Sequence, residues 1–382
     1  MLLLKQSCSI LSTYTADVSG VCSALYEMGG MTVMHDASGC NSTYNTHDEP
    51  RWYDMPSMVF ISALAEVDAL MGDDEKAIDD ISRAALELRP RFVAIAGTPI
   101  PMMMGTDFRA MARLVEERTG IPSFGFATNG MNSYDQGAGM ALAAVAERFC
   151  PPELKAGKPA AGGRPAINLL GVTPLDFSIG GNAGALRKIF EEKGFRVVSC
   201  WAMGSPWEEL MKAGEANVNL VVSSSGAPLA KALRKKYGVP FVTGLPVGRK
   251  ASDDLFRLLE EAAADGENKM PEPPSSGEDG KLFVVGEPVQ SAAIARALEL
   301  DYAMEGVRLL SPQIFPDEEA VFAALSGART VVADPLYRPA LPRGCRFVPL
   351  PHEGYSGRIY RKDIPIFIGE SFNDWIEREL EL

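Results

Sequence analysis

Several features are scarce in this sequence, and each scarcity narrows what the chain can be. Six cysteines are spread over 382 residues and no Cys-x-x-Cys occurs. A cytosolic chain of this size does not use six cysteines as a disulfide framework, so they are core residues, metal ligands or redox groups. Histidine is rarer still, with three, so each deserves its own reading. No apolar run approaches the ~20 residues of a membrane span. The opening MLLLKQSCSI has too short an apolar stretch for a secretory leader. The expectation is a cytoplasmic protein with no membrane partner. Positive charge is in deficit, with a net charge of −13. That argues against nucleic acid as a partner, because nucleic acid binding needs a basic face. Glycine-rich turns exist, at Gly171 to Gly184 and from Gly286 onward, but neither reads G-x-G-x-x-G or Walker A. They read as tight strand–helix connections, with anion binding at the helix start as the other reading.

What is present is a regular alternation of strands and helices. MTVMHD, VFISAL, FVAIAG and IPSFGFA are short apolar runs suited to strands buried on both faces. DDEKAIDDISRAALEL and DFRAMARLVEERTG have helical spacing. The segment Cys150 to Pro165, rich in Pro, Gly, Ala and Lys, has linker composition. The pattern then restarts. AINLLG, FRVVSCW and NVNLVVSS are strands, ALRKIFEEKG is a helix, and PLAKALRKKYG is a helix with Gly238 as its C-cap. A second polar break spans Gly266 to Gly280. KLFVVGEP, the helix SAAIARALEL, then VRLLS, RTVVAD, RFVPL and IPIFIGE form a third unit. The fold class is α/β, with three Rossmann-like domains, each a parallel sheet flanked by helices. The expected boundaries are 1–160, 165–268 and 281–382.

Chemistry concentrates between Met31 and Asp54. A strand ends in the turn His35-Asp-Ala-Ser-Gly39-Cys40-Asn41, followed by His47, Asp48, Glu49, Arg51, Tyr53 and Asp54. A cysteine at the C-terminal edge of a parallel sheet stands where such folds place ligands, and Gly39 permits close backbone approach. Cys40 therefore reads as a metal or redox group. His35 and His47 are either proton donors or hydrogen-bonded structural groups. Cys22 lies on an apolar stripe with Val18, Val21, Leu25 and Met28, near a helix start that Asp17 or Thr15 could cap. It is core, or a thiolate stabilised by the helix terminus. Cys8 is equally open, whereas Cys150, Cys200 and Cys345 read as buried small hydrophobes. The loop GTPIPMMMGTDF from Gly97 is either an apolar loop with an N-cap or one wall of a pocket or subunit interface.

These motifs resemble component 1 of nitrogenase and its relatives, among them reductases of tetrapyrrole synthesis. The family's strand ending in His-Gly-x-x-Gly-Cys is similar to His35 to Cys40. Its Glu followed by Gly-Gly or Gly-Asp before a helix is similar to AEVDALMGDDEKA from Ala65. Its third motif is similar to Gly97-Thr98-Pro99 through Gly105-Thr106-Asp107. The resemblance implies three parallel α/β domains and paired subunits, as a homodimer or a paralogous heterodimer. It also implies an iron–sulfur cluster, of [4Fe–4S] type, near the subunit interface, and electrons from a separate ATP-dependent iron–sulfur reductase. By that resemblance Cys40, with Cys22 or Cys8, would bind metal. Gly39, Asn41 and Thr98 would line the cluster, and His35, His47 and Arg51 would serve catalysis in reducing a small substrate held between the three domains. The sequence also departs from the pattern. The family's first ligand falls near Tyr14, Thr15 or Ala16 and its third at Thr98 or Pro99, and none of these is cysteine. Cys200 and His352 are the nearest positions to the large-cofactor ligands, in different contexts, which argues against nitrogen reduction. A scaffold for metal-cofactor assembly and a cluster-less small-molecule binder are the other readings.

Overall fold

The computed structural model describes residues 9–10, 12, 16–39, 41, 49–157, 163–274, 281–311 and 318–381. Cys8, Cys40, His47 and Asp48 lie outside them, as do 158–162 and 275–280 within the two linker segments.

Three four-stranded sheets follow one another along the chain, and every pairing is parallel. The first holds β1 (Met31–His35), β2 (Val59–Ile61), β3 (Val93–Gly97) and β4 (Ser123–Phe126). Helices α1 (Asp17–Leu25), α2 (Glu66–Met71), α3 (Glu75–Leu88), α4 (Pro99–Met104), α5 (Phe108–Thr119) and α6 (Tyr134–Phe149) surround it. The second holds β5 (Ala166–Leu170), β6 (Arg196–Cys200), β7 (Val218–Val221) and β8 (Phe241–Thr243). Its helices are α7 (Pro174–Phe177), α8 (Asn182–Glu192), α9 (Trp207–Leu210), α10 (Ala227–Tyr237) and α11 (Lys250–Asp265). The third holds β9 (Leu282–Val285), β10 (Arg308–Leu310), β11 (Thr330–Ala333) and β12 (Arg346–Pro349). With it go α12 (Pro288–Tyr302), α13 (Glu318–Leu325), α14 (Glu353–Ser356) and α15 (Ser371–Leu380).

The strand order is the same in each sheet: β2-β1-β3-β4, β6-β5-β7-β8 and β10-β9-β11-β12. The chain runs outward from the first strand, returns over it, and continues on the other side. Each sheet thus has a switch point between its first and third strands, where connections leave in opposite directions and open a crevice at the carboxyl edge. Fully buried strands such as β1, β3 and β5 read as continuous apolar runs because both faces are covered.

Two details correct the sequence reading. IPIFIGE does not extend the third sheet. Gly369 instead bonds back across the second, its N–H to Pro246 at 2.7 Å and its carbonyl to the Gly248 N–H at 3.0 Å. Phe367, Ile368, Phe372 and Ile376 then pack into a core shared by the second and third sheets. Asp17 does not cap α1 from outside, since Ala16 holds that position. Its buried carboxylate accepts from the N–H groups of Val18, Asn129 and Gly130 and from Asn132 Nδ2, tying α1 to the loop before α6. The α1–α6 crossing is unusually close. A Cβ on Gly20 would fall 1.8 Å from the Tyr134 carbonyl oxygen, and one on Gly137 1.9 Å from that of Asp17. Only glycine allows two backbones this near.

Candidate functional site

Polar side chains collect at all three switch points. At the first, β1 ends in His35 and β3 in Gly97, and Thr98 Oγ1 donates to the His35 carbonyl at 3.1 Å. The His35 ring is fully buried. Its Nδ1 lies 2.8 Å from Ser62 Oγ and its Nε2 3.3 Å from Asp74 Oδ1. Burial lowers its pKa and outweighs the opposing pull of Asp74 and Asp36, so the neutral ring is favoured. Asp74, partly exposed, carries this chain of contacts to the surface. Asp36 shapes the turn beyond, accepting from the Ala37 N–H at 2.8 Å and from Asn41 Nδ2 at 2.7 Å. A Cβ on Gly39 would meet no heavy atom within 4 Å. The open side at Gly39 is therefore not filled by the described residues of this chain.

Arg51, a catalytic candidate by resemblance, sits in a buried ion-pair network. It is buried, with Nε donating to Glu49 Oε1 at 2.6 Å, Nη1 to Glu27 Oε1 at 2.9 Å and Nη2 to the Ser23 carbonyl at 2.7 Å. Burial alone would lower its pKa, but Glu49 and Glu27 outweigh it and hold it raised. A guanidinium so committed staples the segment after the turn onto α1. Tyr53 and Asp54 are exposed, away from any enclosed site.

Cys22 joins the core. It is wholly buried beside Val18, Val21 and Leu25, and burial pushes its thiol well above the usual range. In the metal-free chain that environment favours the neutral thiol. Cys150 and Cys200 are buried too, their thiols pushed up to about 11 and about 12. Among the described residues no group of three or more His, Cys, Asp or Glu side chains is placed to hold a metal ion. One chain's described residues therefore do not make a four-ligand cluster site.

The loop from Gly97 becomes the short helix α4, and Asp107 caps α5 by accepting from the N–H groups of Arg109 and Ala110, both at 3.0 Å. Its methionines point outward, Met103 being 82% exposed. Nearby α2 buries no residue at all, and its Leu70 is 79% exposed. With Val67, Met71 and Met102 these side chains leave an apolar face beside the first switch point, larger in character than scattered surface hydrophobes.

The second and third switch points face each other, and sequence reading missed what they build. After β5, Thr173 and Asp176 are buried; after β7, Ser223 and Ser225; after β9, Glu287; after β11, Asp334; after β12, His352 and Glu353. Tyr134, from the start of α6, reaches in from the first unit. Its hydroxyl donates to Asp176 Oδ1, while Thr173 Oγ1 and Ser225 Oγ donate to Oδ2 at 2.8 and 3.1 Å. Glu287 accepts from the Ser224 N–H and Oγ and from the Gln290 N–H. Asp334 accepts from the His352 N–H and Ser356 Oγ, both at 2.7 Å. Glu353 pairs with Arg361 and accepts from Ser178 Oγ at 2.9 Å.

His352 cannot serve as a metal ligand in this arrangement. Its Nδ1 accepts the Gly354 N–H at 3.1 Å, so the neutral ring must carry its proton on Nε2. That nitrogen is buried without a hydrogen-bond partner, 3.7 Å from Asp176 Oδ1. Burial lowers the His352 pKa to about 4, against the pull of Asp334. Beside it lies a cavity of about 10 Å³, lined in part by Gln290, Asp334 and Tyr355, the size of a single water.

The glycine turns behave as connections. Gly181 opens α8 with φ 110°, next to an open cleft of about 600 Å³. Its cations Lys188, Lys193 and Arg249 each face a carboxylate, at 3.5, 3.6 and 3.4 Å, which leaves no surplus positive charge for an anion. At the second turn Glu287 itself occupies the start of α12.

Three parallel sheets with one repeated strand order, and polar side chains at every switch point, define a protein of the three-domain Rossmann-like α/β class. The model of the nitrogenase component 1 type oxidoreductases matches residues 18–335, and the chain belongs to that family. It is 26% identical over 208 residues to the nitrogenase molybdenum-iron protein alpha chain of Methanosarcina barkeri, covering 53% of this chain and 37% of that one. It is 25% identical over 214 residues to the nitrogenase iron-molybdenum cofactor biosynthesis protein NifE of Klebsiella pneumoniae, covering 54% of this chain and 46% of that one. The chain thus spans less than half the length of these two relatives. The solved structure of nitrogenase Cp1 at pH 6.5 superposes with a TM-score of 0.65 at 16% identity, covering 100% of this chain and 94% of that one, a likeness of fold. Among the described residues no helix is long and apolar enough to cross a membrane.

Proposed function

We propose that this protein is a redox subunit of the component 1 type that holds an iron–sulfur cluster at the turn after β1, between two chains. The observation that carries the reading is the first switch point. Asp36 and Asn41 bond to each other across the turn, no described residue of this chain comes within 4 Å of a Cβ on Gly39, and the exposed apolar face of α2 and α4 stands beside it. Cys40 supplies a soft thiolate of the kind such clusters take. In this reading the remaining ligands come from a second chain, a copy or a paralogue, because a symmetric pair supplies the same ligands twice across a twofold interface. His35 and His47 are the proton-handling groups of the proposal, and an ATP-dependent iron–sulfur reductase is the electron source. In this proposal Cys22 of α1 packs in the core and Arg51 holds the rim segment onto α1.

A second reading is a scaffold for cofactor assembly, with its cargo carried at the surface turn. The relatives named for cofactor biosynthesis make that role natural.

The test is anaerobic purification with measurement of iron and acid-labile sulfide, for the wild type and Cys40→Ala. A [4Fe–4S] cluster shared by two chains amounts to about two irons and two sulfides per chain, absent in the variant. A wild-type protein that takes up no iron on reconstitution would remove the cluster reading. Substrate turnover with the reductase, once iron is found, separates reductase from scaffold.

A further inference from the structure

The amino edge of the third sheet carries charge of the opposite sign to the chain as a whole. Its strands lie in the order β10-β9-β11-β12. A cation stands at the amino end of each, in that order Arg308, Lys281, Arg329 and Arg346. Main-chain bonds hold three of them side by side. The Arg329 N–H donates to the Lys281 carbonyl at 2.9 Å, and the Arg346 N–H to the Arg329 carbonyl at 2.8 Å.

Strand register sorts these side chains by face. Arg308 pairs with Phe283 and Thr330 with Leu282, so Arg329 is level with Lys281. Alternate residues of a strand share a face, which puts Lys281, Arg308 and Arg329 on the side of Phe283. Arg346 falls on the other face, where its Nη2 donates to the Glu379 carbonyl at 2.7 Å and meets Glu381 at 3.8 Å. On the Phe283 side β12 instead presents Phe347, level with Val331, and the Arg338 guanidinium lies over that ring at 5.0 Å. Arg308 lies over Phe283 in the same way, at 4.8 Å. Lys281, Arg308, Arg329 and Arg338 are all exposed. Among the described residues none of the four is paired with a carboxylate. A planar guanidinium resting on an aromatic ring is held in place, so less of its freedom is lost when a carboxylate arrives.

Four unneutralised cations on one face of a chain with net charge −13 make a local attraction for an anion. Neither cavity described above is lined by any of them, so the row suits an extended partner better than a small enclosed anion. Strands about 4.8 Å apart make the row about 14 Å long. Carboxylates at positions i, i+3, i+7 and i+10 of a helix span about 15 Å along one side. A long polyanion or an anionic lipid surface would also run over the acidic remainder of the chain and be repelled there, whereas a compact protein need not. We infer that Arg308, Lys281, Arg329 and Arg338 form a docking surface for an acidic helix of a partner protein. This surface lies on a different unit from the turn at Cys40 and does not depend on a cluster.

The test is fluorescence anisotropy on the full chain. The probe is a labelled alanine-based helical peptide with glutamate at i, i+3, i+7 and i+10, and its twin carries glutamine there. The glutamate peptide should bind at least about tenfold more tightly than its twin at low salt, and the difference should shrink as salt is raised. Lys281→Gln, Arg308→Gln, Arg329→Gln and Arg338→Gln should each weaken it about two- to fivefold, and the four together should abolish the preference. Each changes an exposed side chain, and the single variants carry the test if the combined one does not fold. Lys231→Gln with Lys235→Gln, exposed on α10, should leave binding unchanged. No preference for glutamate in the wild type, or a preference that survives all the substitutions in the row, overturns the inference. Single-stranded DNA or phosphatidylserine vesicles that bind through the same four residues more tightly than the glutamate peptide overturn it as well, by assigning the row to another class of partner.

Discussion

The rim of the first sheet and the junction of the three units are built at the same topological place and finished in opposite ways. Both lie at carboxyl edges of parallel strands, where turns bring polar groups together. At the junction nearly every carboxylate oxygen has a donor from the chain itself. At the rim, no described residue fills the side of Gly39 where a Cβ would stand, α2 buries nothing, and methionines stand in solvent. A site that satisfies itself reads as structural or regulatory. An exposed apolar face such as that of α2 and α4 reads as one that another molecule covers.

That contrast can be broken at its firmest point first. Gly137→Ala drives a methyl into the Asp17 carbonyl, where neither backbone can yield. It should cost at least ~3 kcal/mol in urea unfolding or abolish folding, because α6 carries Tyr134 to the junction. A variant as stable as wild type would mean that the α1–α6 crossing is looser than described.

Arg51→Met comes next. It strips the guanidinium from buried Glu49 and from Glu27, and breaking such a pair costs about 3–5 kcal/mol. Loss of stability with an unchanged fold would establish Arg51 as the staple under the rim. A catalytic Arg51 would instead leave stability near wild type.

Acid should act on the junction through His352. Its folded value of about 4 lies below the ordinary 6.5, so the unfolded chain takes up the proton first. The contribution of neutral His352 is complete above pH 6.5 and is lost as pH falls toward 4. His35, also lowered by burial, adds a loss of the same sign. His352→Phe keeps a ring against Tyr355 and should reduce the acid sensitivity of the melting temperature. An identical pH dependence in that variant would deny His352 the role.

The smallest expected effect on stability is at the rim. Leu70→Asp and Met103→Asp alter exposed side chains and should change stability by no more than about 0.5 kcal/mol. They should nevertheless prevent pairing of chains. Large destabilisation would show that these residues are covered within the chain.

The scaffold was legible in the sequence because buried parallel strands leave short apolar runs that no other element mimics. β1, β3, β5, β7, β9 and β11 all coincide with such runs. IPIFIGE misled because an apolar segment crossing a neighbouring sheet has the same local pattern as a strand. The rim stood out in the sequence because His35, Asp36 and Cys40 lie within six residues of one another, although Cys40 is outside the described residues. The junction was not. Ser178 meets Glu353 from 175 residues away, and Tyr134 meets Asp176 from 42. Its acids sit singly after separate strands, and no spacing rule joins them. A signal was available, a polar residue just past the end of nearly every strand of the second and third sheets, but it acquires meaning only once the strand order is known.

The central claim is that the rim is completed by a second chain around a metal–sulfur group at Cys40. Sedimentation of the anaerobically reconstituted protein, followed at the visible absorbance of an iron–sulfur chromophore, tests it most directly. The account predicts that the chromophore travels only with a two-chain species and disappears, together with that species, in Cys40→Ala. A chromophore carried by single chains, or a two-chain species that stays colourless after reconstitution, would contradict it.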